Sequence, residues 1–202
     1  MANLKTMGYS GGAVECGMMN AAIHQLSNHI KVPNYNSSGL SDSKVPDAQA
    51  GYEKAFTSVL ASMGGSNYIH HAAGMLESML TIAHEQFVID DEIIGNCCKV
   101  LKGIEVDEEH LALEVIDSVG PGGDFMTSPH TMSHLRKEYY IGNGVTDKKA
   151  RGKWEKDGCQ DTRQRALGIA KKLLESPKPS YIPEEIDKAI RKKFNILLNI
   201  QS

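Results

Sequence analysis

What most constrains this chain is the order in which helix, strand and polar loop alternate, with Gly or Pro at almost every change. Gly11 and Gly12 precede a helical stretch from Ala13 to Ile30, apolar near helical spacing at Met18, Ala22, Ile23 and Leu26. Val32 to Asn36 reads as a short strand and runs into the polar loop Ser37 to Lys44. Pro46 and Asp47 open a helix to about Met63, since Pro suits a first turn and Asp complements the helix dipole. Ser66 to Ala73 is a second strand, Gly74 breaks it, and Met75 to Glu85 is a loop or short helix. Helices are expected over Val88 to Ile104, with Ile89, Ile93, Cys97 and Leu101 on one face, over Asp107 to Val119, and over Pro129 to Tyr140. Alternation of this kind favours βα units and a parallel sheet. Two strands cannot close a barrel, and a full (β/α)8 barrel takes about 250 residues. The chain therefore holds either strands not legible in the sequence or part of a longer protein.

From Asn143 onward the character changes. Lys148 to Lys156 is charged and holds the single tryptophan, Trp154. Asp161 to Glu175 and Pro183 to Asn199 read as amphipathic helices joined by the linker Pro177-Lys178-Pro179. The expected organisation is 1–142 as a barrel portion and 143–202 as a helical C-terminal extension.

Composition excludes several classes. Hydrophobic residues at 41% and charged residues at 23% mark an ordinary globular chain, and a net charge of -3 gives no footprint for nucleic acid. No apolar run approaches the roughly 18 residues of a membrane span. Met1 to Ser10 lacks the apolar stretch of a signal peptide, so a cytoplasmic location is expected. Cys16, Cys97, Cys98 and Cys159 lack the paired spacing of a structural zinc site and are expected to be reduced, mostly buried thiols.

Three stretches carry a resemblance. Gly39-Leu40-Ser41-Asp42-Ser43-Lys44-Val45-Pro46-Asp47-Ala48-Gln49-Ala50-Gly51-Tyr52-Glu53-Lys54 resembles a motif of the trimethylamine methyltransferase family. His71-Ala72-Ala73-Gly74-Met75-Leu76-Glu77, continuing to Glu85-Gln86-Phe87-Val88-Ile89-Asp90, resembles a second. Val119-Gly120-Pro121-Gly122-Gly123 with Pro129-His130-Thr131 resembles a third, weak alone. The resemblance runs in order from about Gly11 to Gly158. It implies an α/β fold, a partial (β/α)8 TIM barrel, that delivers a methyl group from a methylated amine to the cobalt of a separate corrinoid protein. Family members are more than twice this length, so the chain resembles their C-terminal portion, with a missing N-terminal half supplying the earlier strands. In the trimethylamine branch the position of Leu40 is pyrrolysine. Leucine has no electrophilic imine, so the resemblance is to the non-pyrrolysine branch, whose substrates are quaternary amines such as glycine betaine. No cofactor is expected to bind directly; the corrinoid (cobalamin) is implied on the partner.

Demethylating a quaternary ammonium expels a neutral amine, so no general acid is obligatory. The site must hold a cation, exclude water and align the methyl group. Aromatic faces and a carboxylate suit the cation, and donors suit a substrate carboxylate. Barrel sites lie on the loops after strands, which selects Asp42 and Lys44 from the first loop and His70, His71 and Glu77 from the second as substrate-binding candidates. Each has a plainer reading: Asp42 as a turn former, Lys44 as a solvated charge, Glu77 as a helix start. In a strand His70 and His71 would point to opposite faces, so at most one would look into a barrel mouth. Glu85 and Asp90 read as complements of a helix dipole. Tyr35, Tyr52 and Tyr68 are possible aromatic faces, and Met18, Met19, Met75 and Met79 read as core. His130 and His134, four apart, could share a metal, but no third ligand stands out, so none is expected. The catalytic residues stay unassigned. The competing reading is a non-catalytic remnant or interaction subunit that docks a corrinoid protein. In either case unpaired sheet edges and helix faces make a homo-oligomer the expectation.

Overall fold

The computed structural model describes residues 1–177 and 181–196. Lys178 and Pro179 of the expected linker, and Leu197 to Asn199 of the expected last helix, lie outside the described residues. Two compact units divide the chain, Met1–Lys171 and Lys172–Ser202. The expected boundary at residue 142 falls inside the first.

The first unit opens with α1 (Val14–His29), then β1 (Tyr35–Ser37), α2 (Ala48–Met63) and β2 (Tyr68–His70). β1 and β2 pair in parallel, with Tyr35 opposite Tyr68, Asn36 opposite Ile69 and Ser37 opposite His70. The sequence puts the strands in the right places but makes them too long: only three residues of each are laddered. Asn34 and Asn67 cross-link their entry, each side-chain oxygen accepting the other's backbone N–H at 3.0 and 3.2 Å. The Asp47 carboxylate caps α2 by accepting from the Ala50 N–H at 2.9 Å, and Gly64-Gly65 end it.

β3 (Met75–Leu76) and β4 (Thr81–Ile82) form a small antiparallel hairpin around a 3₁₀ turn at Glu77–Met79, where a loop or short helix was expected. Glu77, Ser78 and Met79 all have positive φ, between 48° and 78°. Such angles cost non-glycine residues on the order of 1–3 kcal/mol each and persist only when neighbours impose them.

α3 (His84–Lys102) starts four residues before the expected Val88 and ends at Gly103, whose φ is 72°. The expected helix over Asp107 to Val119 is two, α4 (Glu108–Leu111) and α5 (Leu113–Val119), because Ala112 sits in the left-handed region at φ 50°. α6 (Pro129–His134) stops well short of Tyr140. α7 (Arg151–Lys156) and α8 (Thr162–Glu175) follow, and Val145, Ala166 and Ala170 pack into one apolar cluster with Val88 of α3. In the second unit α9 (Glu184–Lys193) carries its own i,i+4 pairs, Glu184 with Lys188 and Asp187 with Arg191. Among the described residues no helix is long and apolar enough to cross a membrane.

α2 packs against both α1 and α3. Asn36 of β1 reaches His24 of α1, and Ile69 of β2 borders a cavity of about 260 Å³ shared with α2 and α3. Alternation along a strand then turns Tyr35, Ser37, Tyr68 and His70 to the opposite, helix-free face. Tyr35 and Tyr68 are 70% and 64% exposed there. Two core assignments fail: Met18 and Met19 are exposed, as are Ile23 and Leu26. The buried side of α1 is instead the small and polar set Cys16, Gly17 and His24, which lets α1 lie close to α2. Cys98 and Cys159 are exposed, while Cys16 and Cys97 are buried, and all four are free thiols.

Holding these pieces together is a buried ion pair. Lys54 Nζ of α2 lies 2.9 Å from Asp90 Oδ2 of α3, with both side chains 1% exposed. Asp90 is thus not a dipole complement at a helix start; it is the seventh residue of α3 and faces inward. The same ammonium donates to the Gly39 and Ala72 carbonyls at 2.7 and 3.3 Å, and Asp90 accepts from the Gly74 N–H at 2.7 Å and Gln86 Nε2 at 2.8 Å. Burial pushes the Asp90 carboxyl up and the Lys54 ammonium down, against their mutual attraction. Removing one partner from such a pair leaves a buried charge unmatched, which costs about 3–5 kcal/mol. Asp90→Asn is expected to destabilise the chain by that amount in urea denaturation, and Lys54→Met combined with Asp90→Leu by less. A single-variant loss under about 1 kcal/mol would show that the pair does not hold the fold.

Candidate functional site

The two loops that leave the parallel strands meet. The Glu77 N–H donates to the Ser43 carbonyl and the Ser78 N–H to the Ser41 carbonyl, both at 2.8 Å, while Lys54 joins Gly39 to Ala72 from below. Gly39 has φ 69°, and a side chain there would strike Ser58 Oγ at 2.7 Å and Ala72 Cα at 3.0 Å. Only glycine lets the loop turn and touch its neighbour at that point. Segments 40–44 and 70–78 therefore share one rim, at the carboxyl end of the strands.

Asp42 is the hub of that rim. Its carboxylate accepts from the Gly11 and Gly12 N–H groups at 3.1 and 3.3 Å, and from the hydroxyls of Ser10 and Ser78. Glu53 of α2 supports it by accepting from the Asp42 N–H at 2.8 Å and Ser41 Oγ at 2.7 Å. A side chain at Gly12 would overlap the Glu53 carboxylate, at 2.4 Å from Oε2, so glycine allows this approach. Burial raises the Asp42 pKa, but the hydrogen bonds from Ser10, Ser78, Gly12 and Gly11 outweigh it and hold the carboxyl below its ordinary 3.8.

Asp42 also borders a cavity of about 310 Å³ with Tyr9, Ser10, Lys44, Glu77 and Ser78. Lys44 is exposed, and its ammonium donates to the Asp42 carbonyl at 2.8 Å. Glu77 accepts from Thr81 Oγ1 at 2.9 Å. Three of the five expected site residues (Asp42, Lys44 and Glu77) thus line one pocket. His70 and His71 form a second group at the same strand ends, on the helix-free face. His71 lies beyond β2 with φ 65°, so strand alternation does not separate the two rings. Both reach one hydroxyl: Ser37 Oγ is 2.7 Å from His70 Nε2 and 3.0 Å from His71 Nδ1. The His70 ring lies 5.2 Å from Tyr35 and 4.2 Å from His71. The second group is an open aromatic wall. Tyr52, the other aromatic named from the sequence, lies on α2 and is exposed.

Sequence reasoning missed Ser10, Ser37, Glu53, Lys54 and Ser78. For Lys54 a signal was present: it interrupts a stripe of small residues (Ala50, Thr57, Ala61) that α2 buries. His130 and His134 stack at 4.2 Å, with His134 Nδ1 turned to the His130 carbonyl, so they do not chelate as a pair.

A polar hub and an aromatic wall at the carboxyl ends of two parallel strands, joined through an intervening helix, give a mixed helix-and-sheet chain a candidate site at its strand ends. The chain belongs to the trimethylamine methyltransferase family: the model of that family, Trimethylamine methyltransferase (MTTB), matches residues 1–195. Its relatives include a glycine betaine methyltransferase of Desulfitobacterium hafniense strain Y51, 36% identical over 93% of this chain and 39% of that protein. A trimethylamine methyltransferase of Desulfitobacterium hafniense strain DCB-2 is 36% identical over 94% of this chain and 38% of its own length. One from Methanosarcina barkeri strain Fusaro is 39% identical over 74% of this chain and 30% of its own. The chain spans about two-fifths of the length of the first two relatives.

The hub has a pH signature. Because the folded pKa of Asp42 lies below the unfolded one, its contribution to stability is complete above about 3.8 and is lost as pH falls through the folded value. The thermal midpoint of the chain is expected to fall more steeply than that of Asp42→Asn as the pH is lowered below about 3.8, since the variant has no such proton to bind. Parallel curves would show that Asp42 is not held ionised by the rim.

Proposed function

We propose that this chain contributes the methylated-amine site of a methyltransferase that passes a methyl group to a corrinoid protein, and that the substrate is a quaternary amine such as glycine betaine. The observation that carries this reading is the helix-free wall of Tyr35, His70 and His71 at the same strand ends whose loops build the pocket of Asp42 and Glu77, within a chain of this family. Aromatic faces attract a methylated ammonium through their quadrupoles without donating to it, which suits a cation that offers no N–H. Lys44, at the pocket edge, supplies a donor for a substrate carboxylate. Asp42 has most of its acceptor capacity committed to the chain itself, so its role is to shape the pocket and to lend it negative charge.

Leu40 supports the quaternary substrate over trimethylamine. It is fully buried, with its side chain against Gly11, so that position presents no reactive group to the pocket. A quaternary ammonium leaves as a neutral amine and needs none. The corrinoid on the partner supplies the nucleophilic cobalt that accepts the methyl group. The residues here bind the cation, orient one methyl outward and exclude water from it.

The fold that fits this reading is part of a (β/α)8 barrel. In it β1–α2–β2 is one repeat, the helix-free face turns to the barrel interior, and β/α units beyond these 202 residues complete the wall. A second reading, an interaction subunit that docks the corrinoid protein without turnover, draws support from the openness of that same wall. A homo-oligomer is proposed on the exposed apolar residues of α1, Met18, Ile23 and Leu26.

The test is methyl transfer to a corrinoid protein, followed by cobalt absorbance, in the protein that carries the whole barrel. Glycine betaine is expected to be turned over and trimethylamine not. His70→Ala is expected to lower kcat/KM by about 10- to 100-fold, or about 1.4–2.7 kcal/mol, with less than about 1 kcal/mol lost from stability. Turnover of trimethylamine instead, or a stability loss as large as the kinetic one, would overturn the reading.

A further inference from the structure

Between Gly103 and Glu138 the chain lacks what usually orders a segment: no residue there is buried. α4, α5 and α6 contain no buried residue, and Leu111, Leu113, Ile116 and Met132 are all exposed. Polar contacts link α4 and α6 instead. His130 Nε2 meets the Glu109 carbonyl at 2.8 Å, His134 Nε2 meets the Glu109 carboxylate at 3.4 Å, and the His110 and His134 rings lie edge to face at 5.2 Å.

At the centre of this patch three side chains from separate segments converge: Glu105 just after α3, His110 in α4 and Glu138 beyond α6. One ligand atom from each lies within 4.8 Å of the other two. His110 Nε2 is 3.6 Å from Glu105 Oε2 and 3.8 Å from Glu138 Oε1. Bonds of about 2.0–2.2 Å in a tetrahedral shell put neighbouring ligands about 3.3–3.6 Å apart, so the two His110 distances already lie within a few tenths of an ångström of that spacing and the two glutamate oxygens need to close by at most about 1.5 Å.

The next layer is arranged in the same sense. Asp107 Oδ1 sits 2.6 Å from His110 Nδ1, so the ring donates its Nδ1 proton there and turns the Nε2 lone pair toward the two glutamates. The same oxygen caps α4 by accepting the His110 N–H at 2.8 Å, which ties ring orientation to helix geometry. Lys99 of α3 holds the other oxygen of Glu138 at 3.5 Å.

We propose that Glu105, His110 and Glu138 bind a divalent first-row transition metal of the zinc class, which clips the Glu105–Glu138 segment together where no apolar core does. A neutral imidazole and two carboxylates match the double charge of the ion, and the mixed nitrogen and oxygen set favours zinc, cobalt or iron over calcium. Three protein ligands leave a fourth position for water. Binding energy at such a site becomes folding energy for the segment it joins.

The experiment uses the full 202-residue chain, stripped with a chelator and titrated with cobalt(II). One equivalent is expected to give the visible ligand-field band of a four-coordinate ion, zinc to bleach it, and zinc to raise the thermal midpoint of the stripped chain. His110→Ala should lose both the band and the thermal shift, with unchanged far-ultraviolet dichroism. His29→Ala, at the end of α1, should keep them. Asp107→Ser retains a capping hydroxyl for α4 but removes the carboxylate behind the ring, and should weaken cobalt binding by about 10- to 100-fold. Absence of the band, a band that survives His110→Ala or Glu138→Gln, or equal loss in His29→Ala would overturn the proposal. In those cases His110 pairs with the carboxylates around it without an ion. Should His110→Ala unfold, Asp107→Ser and Glu138→Gln decide the question, because each keeps a side chain of similar size in place.

Discussion

The Lys54–Asp90 pair is the constraint on which the rest of the first unit depends. A lysine and an aspartate without contact with water are costly unless each meets every remaining hydrogen-bonding demand. Here the ammonium reaches two loop carbonyls as well as its counter-ion, and the carboxylate also takes the Gly74 N–H and the Gln86 amide. Those partners lie after β1, after β2 and within α3. One electrostatic knot therefore fixes where the strand ends lie relative to the helices behind them. The strained backbone of Glu77 to Met79 is tolerable because the rim above that knot is hydrogen-bonded on both sides.

Function follows from what the knot leaves exposed. The rim closes around Asp42 and Glu53, a self-satisfied polar hub, and leaves the aromatic wall of Tyr35, Tyr68, His70 and His71 uncovered. A hub saturated by its own chain is rigid, and rigidity suits the proposed task of holding one methyl group in line. That proposal asks no proton chemistry of it. Family membership accounts for the order of the motifs, and the geometry gives the first two a reason: residues 39–54 and 71–90 meet the rim or support it.

Legibility in the sequence was uneven, for physical reasons. The helices that became α1, α2 and α3 announce themselves through caps and glycines: Asp47 does cap α2, and Gly64-Gly65 do end it. The burial pattern was not legible. α1 buries Cys16, Gly17 and His24 and exposes Met18 and Leu26, because the helices here approach through small residues and polar contacts. The same inversion hid Lys54 and Asp90, since a charged residue is read as solvated unless its neighbours show otherwise. The two loops singled out by the rule that strand-end loops carry sites do meet at one rim. The split of His70 and His71 to opposite faces failed because β2 ends at His70, and the left-handed turn at His71 brings its ring back to Ser37. Ala112 broke an expected helix for a reason that no helix propensity predicts.

The most direct measurement is where a methylated ammonium comes to rest. With glycine betaine bound to the protein that carries the complete wall, nuclear Overhauser contacts from its N-methyl protons should reach the rings of Tyr35, His70 and His71. Contacts confined to other residues, or their absence at saturating ligand, would contradict the assignment of the strand-end rim as the amine site.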